Sequence, residues 1–347
     1  MRVVIADPPA FTPPYDHELA AALARAGADV ELLTSRFRFG AVPAAVGYRR
    51  DESLYPLSSR LFRRSPVRLP VKAVEHLLVQ RALARVRDGV LHVQWLAWPA
   101  LDRRLRFRAP AVFTAHDLLP RRTAARRDLW RALLAKFARV VVHSERGREQ
   151  LAELGAATTV IPHPVFPSDP PRLDDGATVL CLGLIRPYKG LADAIEAVKR
   201  VDGSRLLVAG EPVEPVDGYR AAAGASAEWR LGYLPDAELD RALGEATVAV
   251  FPYRAELDQS GALLRALGAG VPAVVYDVGG LPDPVRRFGA GRVVPAGDVG
   301  ALAEAVGELL GDRDALERAR RGAVAARDAL TWDAAAAAHL ALYRELL

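Results

Sequence analysis

A chain of 347 residues is long enough for about two domains. It is 51% hydrophobic and 26% charged, a composition that excludes long disorder and fibrous repeats. One cysteine, Cys181, excludes a disulfide framework and a cysteine-based zinc cluster, and the seven histidines form no His-x-x-x-His pair. No run of about 18 apolar residues exists to span a bilayer. Met1–Asp7 reads as a short strand broken by prolines, not as a secretory leader, so a cytoplasmic protein is expected.

The net charge of +5 hides an asymmetry. Residues 1–170 carry 27 Lys and Arg against 16 Asp and Glu, a balance of +11, and residues 171–347 carry 20 against 26, a balance of −6. Such a basic half suits an anionic partner, and an Arg-rich solvated surface is the alternative. The sequence has no helix-turn-helix, zinc-finger or RNP-type pattern, so nucleic acid is not the expected partner. An anionic membrane on the inner face of the cell fits the local clusters Arg60–Arg64, Arg103-Arg104 and Arg121-Arg122.

In chain order, Val3–Ala6 predicts a strand and His17–Ala26 a helix stopped by Gly27. Strands are expected at Val30–Thr34, Val90–Gln94, Ala111–Thr114, Val140–His143 and Thr159–Ile161, with helices near 73–87, 123–137 and 145–154. Pro162–Gly176 holds five prolines and no apolar period, and reads as a linker. The alternation then restarts. Strands are expected at Val179–Leu184, Ser204–Ala209, Trp229–Gly232, Val248–Pro252, Pro272–Tyr276 and Gly291–Val294. Helices are expected at Leu191–Val201, Asp236–Ala246, Gly261–Ala269, Leu302–Leu310, Ala315–Ala326 and Ala334–Leu347. Repeated βαβ units imply α/β architecture with two doubly wound parallel sheets, whose ligand would lie in a cleft at the strands' carboxyl ends.

Two segments carry the chemistry. In Leu182-Gly183-Leu184-Ile185-Arg186-Pro187-Tyr188-Lys189-Gly190 a strand ends and two cations stand before a helix, a pair suited to a diphosphate. Lys189 stands out because only four of the 47 basic residues are Lys. In Asp258-Gln259-Ser260-Gly261 a polar loop opens a helix, with Ser260 as N-cap and Gly261 allowing close approach to the backbone, which makes an anion site. Taken singly, each segment reads first as an ordinary loop or capped helix.

Together the two segments resemble the nucleotide-sugar half of the retaining GT-B glycosyltransferases of family 4. Arg186-Pro187-Tyr188-Lys189-Gly190 looks like the family's R-x-x-K-G donor-diphosphate motif. Ser260–Leu264, Gly268–Val275 and Val278–Asp283 look like its nucleotide-sugar signature, and Gly291–Asp298 and Thr331-Trp332 like the usual continuation. The N-terminal half is similar more weakly, through Leu91–Trp95, Thr114–Asp117 and Val160–Pro164. The resemblance implies an N-terminal acceptor-side Rossmann-like domain (1–165), a C-terminal nucleotide-sugar-binding Rossmann-like domain (172–330), and a terminal helix (331–347) crossing back to the first.

What it implies about function follows. A sugar would pass from a nucleotide diphosphate sugar to an acceptor hydroxyl on a glycan, glycolipid or small metabolite, with retention and with neither a metal nor a cofactor. A nucleotide-sugar epimerase or an inactive binding homologue is the alternative. Catalytic positions would be His116, Asp117, Arg186 and Lys189. Donor-binding positions would be Asp258, Gln259, Ser260, Gly261, Glu211, Tyr233 and Leu234. The acceptor side would hold Tyr15, Asp16 and Trp95, with Tyr15 and Asp16 on a loop rimming the site. One departure stands: the family's two glutamates, eight residues apart, fall here on Leu257 and Arg265, flanked by Glu256 and Asp258. The only Asp-x-Asp, Asp312-Arg313-Asp314, reads as a turn between helices.

Overall fold

The computed structural model describes residues 1–38, 40–60, 67–120, 123–254 and 258–347. Arg63, Arg64, Arg121, Arg122, Glu256 and Leu257 lie outside the described residues. The chain folds as two compact units, Met1–Pro162 with Trp332–Leu347, and His163–Thr331.

In the first unit the elements run β1 (Arg2–Asp7), α1 (Pro13–Arg25), β2 (Asp29–Ser35), β3 (Arg49–Leu54), α2 (Arg68–Arg85), β4 (Val90–Val93), α3 (Pro99–Asp102), β5 (Ala111–Thr114), α4 (Arg127–Leu134), β6 (Arg139–Val142), α5 (Glu145–Ala152) and β7 (Thr158–Val160). The seven strands pair in parallel in the order β3-β2-β1-β4-β5-β6-β7. The inner strands read as unbroken apolar runs because helices cover both faces; Val3–Ala6 are fully buried.

Besides shifted helix ends and a short helix at Pro99–Asp102 that the sequence reading did not include, two differences concern this unit. α1 begins at Pro13, four residues early, because proline is at home in a first helical turn, where its missing N–H has no acceptor. Tyr15 and Asp16 therefore sit inside a helix and are buried, not on a loop rim. β3, with the sequence Arg-Arg-Asp-Glu-Ser-Leu, carries no apolar pattern because it is an edge strand largely in solvent.

The second unit runs β8 (Thr178–Leu182), α6 (Leu191–Lys199), β9 (Arg205–Gly210), α7 (Asp217–Ala223), β10 (Ala227–Leu231), α8 (Asp236–Glu245), β11 (Val248–Phe251), α9 (Gly261–Gly268), β12 (Ala273–Tyr276), α10 (Pro282–Phe288), β13 (Gly291–Val294), α11 (Val299–Gly311) and α12 (Arg313–Ala329). Its six strands are parallel, in the order β10-β9-β8-β11-β12-β13. The order reverses between β8 and β11, so their carboxyl ends open the crevice where such sheets bind ligands. The proline-rich stretch begins this unit: Val165 is buried in its core, and its amide donates to Leu330 O. Asp312 caps α12, accepting the amides of Asp314 and Ala315 at 2.9 and 3.0 Å.

The last helix, α13 (Trp332–Leu346), belongs to the first unit and packs on α1. Arg25 Nη2 donates to Asp333 at 2.6 Å, and Tyr343 OH lies 2.6 Å from His92 Nδ1 on β4. His92 Nε2 lies 2.7 Å from Thr114 Oγ1, so a buried polar chain runs from α13 to β5.

Candidate active site

In the second unit the segment after β8 is shaped by two glycines. Gly190 has φ +69°, and a Cβ there would stand 1.9 Å from Pro252 O, so no other residue fits between the loop and β11's end. Gly183 has φ +110°, and a Cβ there would stand 2.9 Å from Lys189 Nζ and 3.3 Å from the Ala262 Cβ. Lys189's ammonium therefore occupies the hollow between the end of β8 and the start of α9. It also lies over the Tyr253 ring, 4.9 Å from the centroid, a cation–π contact that holds it in place.

The start of α9 is prepared the same way. Ser260 is its N-cap, its Oγ accepting the Leu263 amide at 3.4 Å, and Tyr253 OH meets that Oγ at 3.0 Å. Lys189, Tyr253 and Ser260 thus form one connected set. The helix dipole and the first-turn amides give this end a positive character. The loop's other cation, Arg186, is exposed, with no ion-pair partner for its guanidinium among the described residues. Arg254 steadies the loop, its amide donating to Tyr188 O at 2.7 Å and its guanidinium pairing with buried Asp193.

The remaining predicted residues of this unit scatter more. Asp258 is fully buried, and Gln259 Nε2 donates to Gly280 O at 3.0 Å while its buried Oε1 has no hydrogen-bond partner among the described residues. Glu211 and Tyr233 are exposed, and Leu234 packs against the core. Arg265 lies over the Phe166 ring at 4.7 Å.

In the first unit, side chains from β1, α1, β4 and β5 gather at the strands' carboxyl ends. His116 Nε2 lies 2.9 Å from Oε1 of buried Gln94. The ring stacks on Trp95, with centroids 5.3 Å apart at 17°, and meets the edge of Tyr15 at 4.6 Å. Trp95 Nε1 donates to Thr12 Oγ1 at 2.8 Å, and Phe11 closes edge-on at 5.3 Å. Beside them lie two fully buried carboxyls, Asp7 and Asp16. Burial pushes Asp7 up to about 6, against the pull of its hydrogen bonds to Asp16 and the Thr12 amide. Burial, then the neighbouring Asp7 charge, pushes Asp16 well up too. At neutral pH the pair cannot both ionise at ordinary cost. Asp117, next to His116, is exposed.

Residues 15–169 match the family described as Glycosyltransferase Family 4, and residues 176–312 the one described as Glycosyl transferases group 1. A phosphatidyl-myo-inositol mannosyltransferase of Mycobacterium leprae is 30% identical over 269 residues, covering 71% of this chain and 70% of that protein. The chain belongs to glycosyltransferase family 4.

A GDP-mannose-dependent alpha-(1-6)-phosphatidylinositol monomannoside mannosyltransferase of Mycobacterium tuberculosis is 34% identical over 183 residues, covering 48% of this chain. That alignment spans 47% of the relative, about half its length. Among solved structures, sucrose-phosphate synthase of Thermosynechococcus elongatus superposes with a TM-score of 0.76 at 21% identity, over 100% of this chain and 99% of that one. An Anabaena protein crystallised with UDP and glucose does so at 0.73 and 14%, over 100% of both chains. These two likenesses show the GT-B fold.

In this family 4 glycosyltransferase the sequence motifs single out Lys189, Ser260 and Gly261 but not the residues packed around them. Gly183 and Tyr253 gave no signal beyond their place at strand ends. Gln94 and Asp7 were also missed; each is a polar residue closing an apolar strand run, a usable cue in a parallel sheet.

Proposed function

We propose that this glycosyltransferase transfers a sugar from a nucleotide diphosphate sugar to an acceptor hydroxyl with retention of configuration. The observation that carries this is the placing of the Lys189 ammonium beside the start of α9. The diphosphate would lie there, taking the amides of Gly261 and Ala262, the Ser260 side and the free fork of Arg186. Negative charge grows on the leaving diphosphate as the glycosidic bond breaks, so donors fixed beforehand lower that barrier. In this reading the two cations and the helix terminus do the work that a metal does elsewhere. His116, held by Gln94, Trp95 and Tyr15, is assigned to the transferred sugar, and Asp117 to the approach beside it. Buried Asp16 supports the acceptor side from beneath, with Trp95 offering a ring face to a sugar or ring polyol.

The names of relatives support the choice of donors to try: GDP-mannose for a mycobacterial relative, and UDP-glucose for an Anabaena structure that shares the fold. The test is transfer from each donor to a panel of glycan, glycolipid and cyclitol acceptors, followed by mass spectrometry, with and without chelator. Product formed in the presence of chelator supports the reading. Release of free sugar only, or activity that returns only with added metal, contradicts it.

A further inference from the structure

Helix α2 is turned opposite to an ordinary core helix. Its inner side is rich in polar groups: Glu75 and His76 are buried beside Val79 and Leu83. Its outer side carries Val74, Leu77 and Leu78, each more than half exposed at 66%, 51% and 55%, and Val67 and Leu69 are exposed at its start. The roll of the helix is fixed by hydrogen bonds. The Glu75 carboxylate accepts the amides of Leu57 and Ser58 at 2.6 and 3.0 Å. His76 lies 2.6 Å from Tyr55 OH on one nitrogen and 2.8 Å from Asp102 on the other. Gln80 Nε2 donates to Leu101 O at 3.0 Å. The leucines therefore cannot roll inward without breaking this set.

At 100° per residue, Val74, Leu77, Leu78, Arg81 and Arg85 share the outer side. Arg81 and Arg85 are exposed and have no ion-pair partner among the described residues. The only acidic residue of α2 is Glu75, and it is buried and engaged. The outer face is thus apolar over its first turns, cationic over its last, and free of negative charge.

We propose that this face of α2 is a docking surface for an anionic lipid bilayer, lying flat in the headgroup region. Charge complementarity favours this occupant. A second copy meeting it face to face would bring like arginines together under two-fold symmetry, whereas anionic headgroups satisfy them while the leucines and valine enter the acyl boundary. Among the described residues no helix is long and apolar enough to cross a membrane, so α2 would lie on it.

The test is cosedimentation of the full chain with vesicles of phosphatidylcholine alone and of phosphatidylcholine mixed with phosphatidylglycerol, a readout independent of turnover. Binding to the mixed vesicles is expected near 0.1 M salt, fading toward 1 M as the Debye length falls from about 10 to about 3 Å. Arg81→Gln and Arg85→Gln should each weaken it about fivefold, and the Leu77→Ser/Leu78→Ser double variant about tenfold or more. All three variants should keep the native circular dichroism spectrum. A wild type that stays in the supernatant at low salt overturns the proposal. So does binding that ignores the leucine substitutions, equal binding to neutral vesicles, or a concentration-dependent dimer that these substitutions abolish.

Discussion

Gly183 and Lys189 are matched to one another: a Cβ on Gly183 would fall 2.9 Å from the Lys189 Nζ. The absent side chain at the end of β8 is what lets the ammonium reach the start of α9. Gly183→Ala should therefore displace Lys189 as well as strain a backbone at φ +110°. We expect a stability loss of about 1–3 kcal/mol and at least a tenfold loss in nucleotide affinity. Thermal melts with and without nucleoside diphosphate separate the two effects. Affinity unchanged in the folded variant would show that Lys189 is not where the diphosphate binds.

Gln94 offers only its carbonyl to His116 at 2.9 Å, so Nε2 of His116 carries the proton. Gln94→Ala should lower kcat about tenfold with little change in KM, since the ring loses its orientation and not its place in the stack. Gln94→Glu should restore orientation but favour the imidazolium, shifting the acid limb of the pH–rate profile upward. A kcat unchanged in both variants would leave His116 with a packing role only.

Acid should loosen the seat of α13. Burial holds His339 at about 4 and His92 well below the ordinary histidine range, in each case as the first cause. An unfolded histidine titrates near 6.5. Between that value and about 4 the unfolded chain binds more protons, so stability present above pH 6.5 is lost as pH falls. For His339 the loss is of order 3 kcal/mol at most. His339→Leu should flatten the dependence of the melting temperature on pH over that window. An unchanged slope would place the acid sensitivity elsewhere.

The carboxyl pair has the opposite sign. Asp7, raised to about 6, contributes stability that is present below the usual carboxylate range near 4 and is lost as pH rises through 6. Asp16→Asn removes the like charge beside it while keeping the shape. It should raise the melting temperature at pH 8 more than at pH 4. A variant destabilised equally at both would mean that the pair is held by bonding and not by shared protonation.

Most of the strand and helix order was legible because parallel strands covered on both faces are short apolar runs, and Val3–Ala6, Val248–Phe251 and Ala273–Tyr276 are of that kind. What escaped has local causes. The edge strand Arg49–Leu54 buries little and so shows no pattern. Pro13-Pro14 and Pro282 resemble breakers, yet they start helices, because a proline in the first turn gives up no hydrogen bond. At the site, the motif residues Lys189 and Ser260 could be read directly. Tyr253 and Gly183, which join them, act through close approach in space, and close approach leaves no spacing in the chain. Tyr15 was expected on a loop, and the structure makes it a buried ring of α1 against His116.

Calorimetric titration of GDP and UDP into the wild type and Lys189→Ala tests the central assignment most directly. The account predicts that the wild type binds at least one nucleoside diphosphate, and that Lys189→Ala, still folded, binds it about tenfold to a hundredfold more weakly, as loss of a charge-assisted contact of roughly 1.5–3 kcal/mol requires. Equal affinity in the two proteins would contradict it.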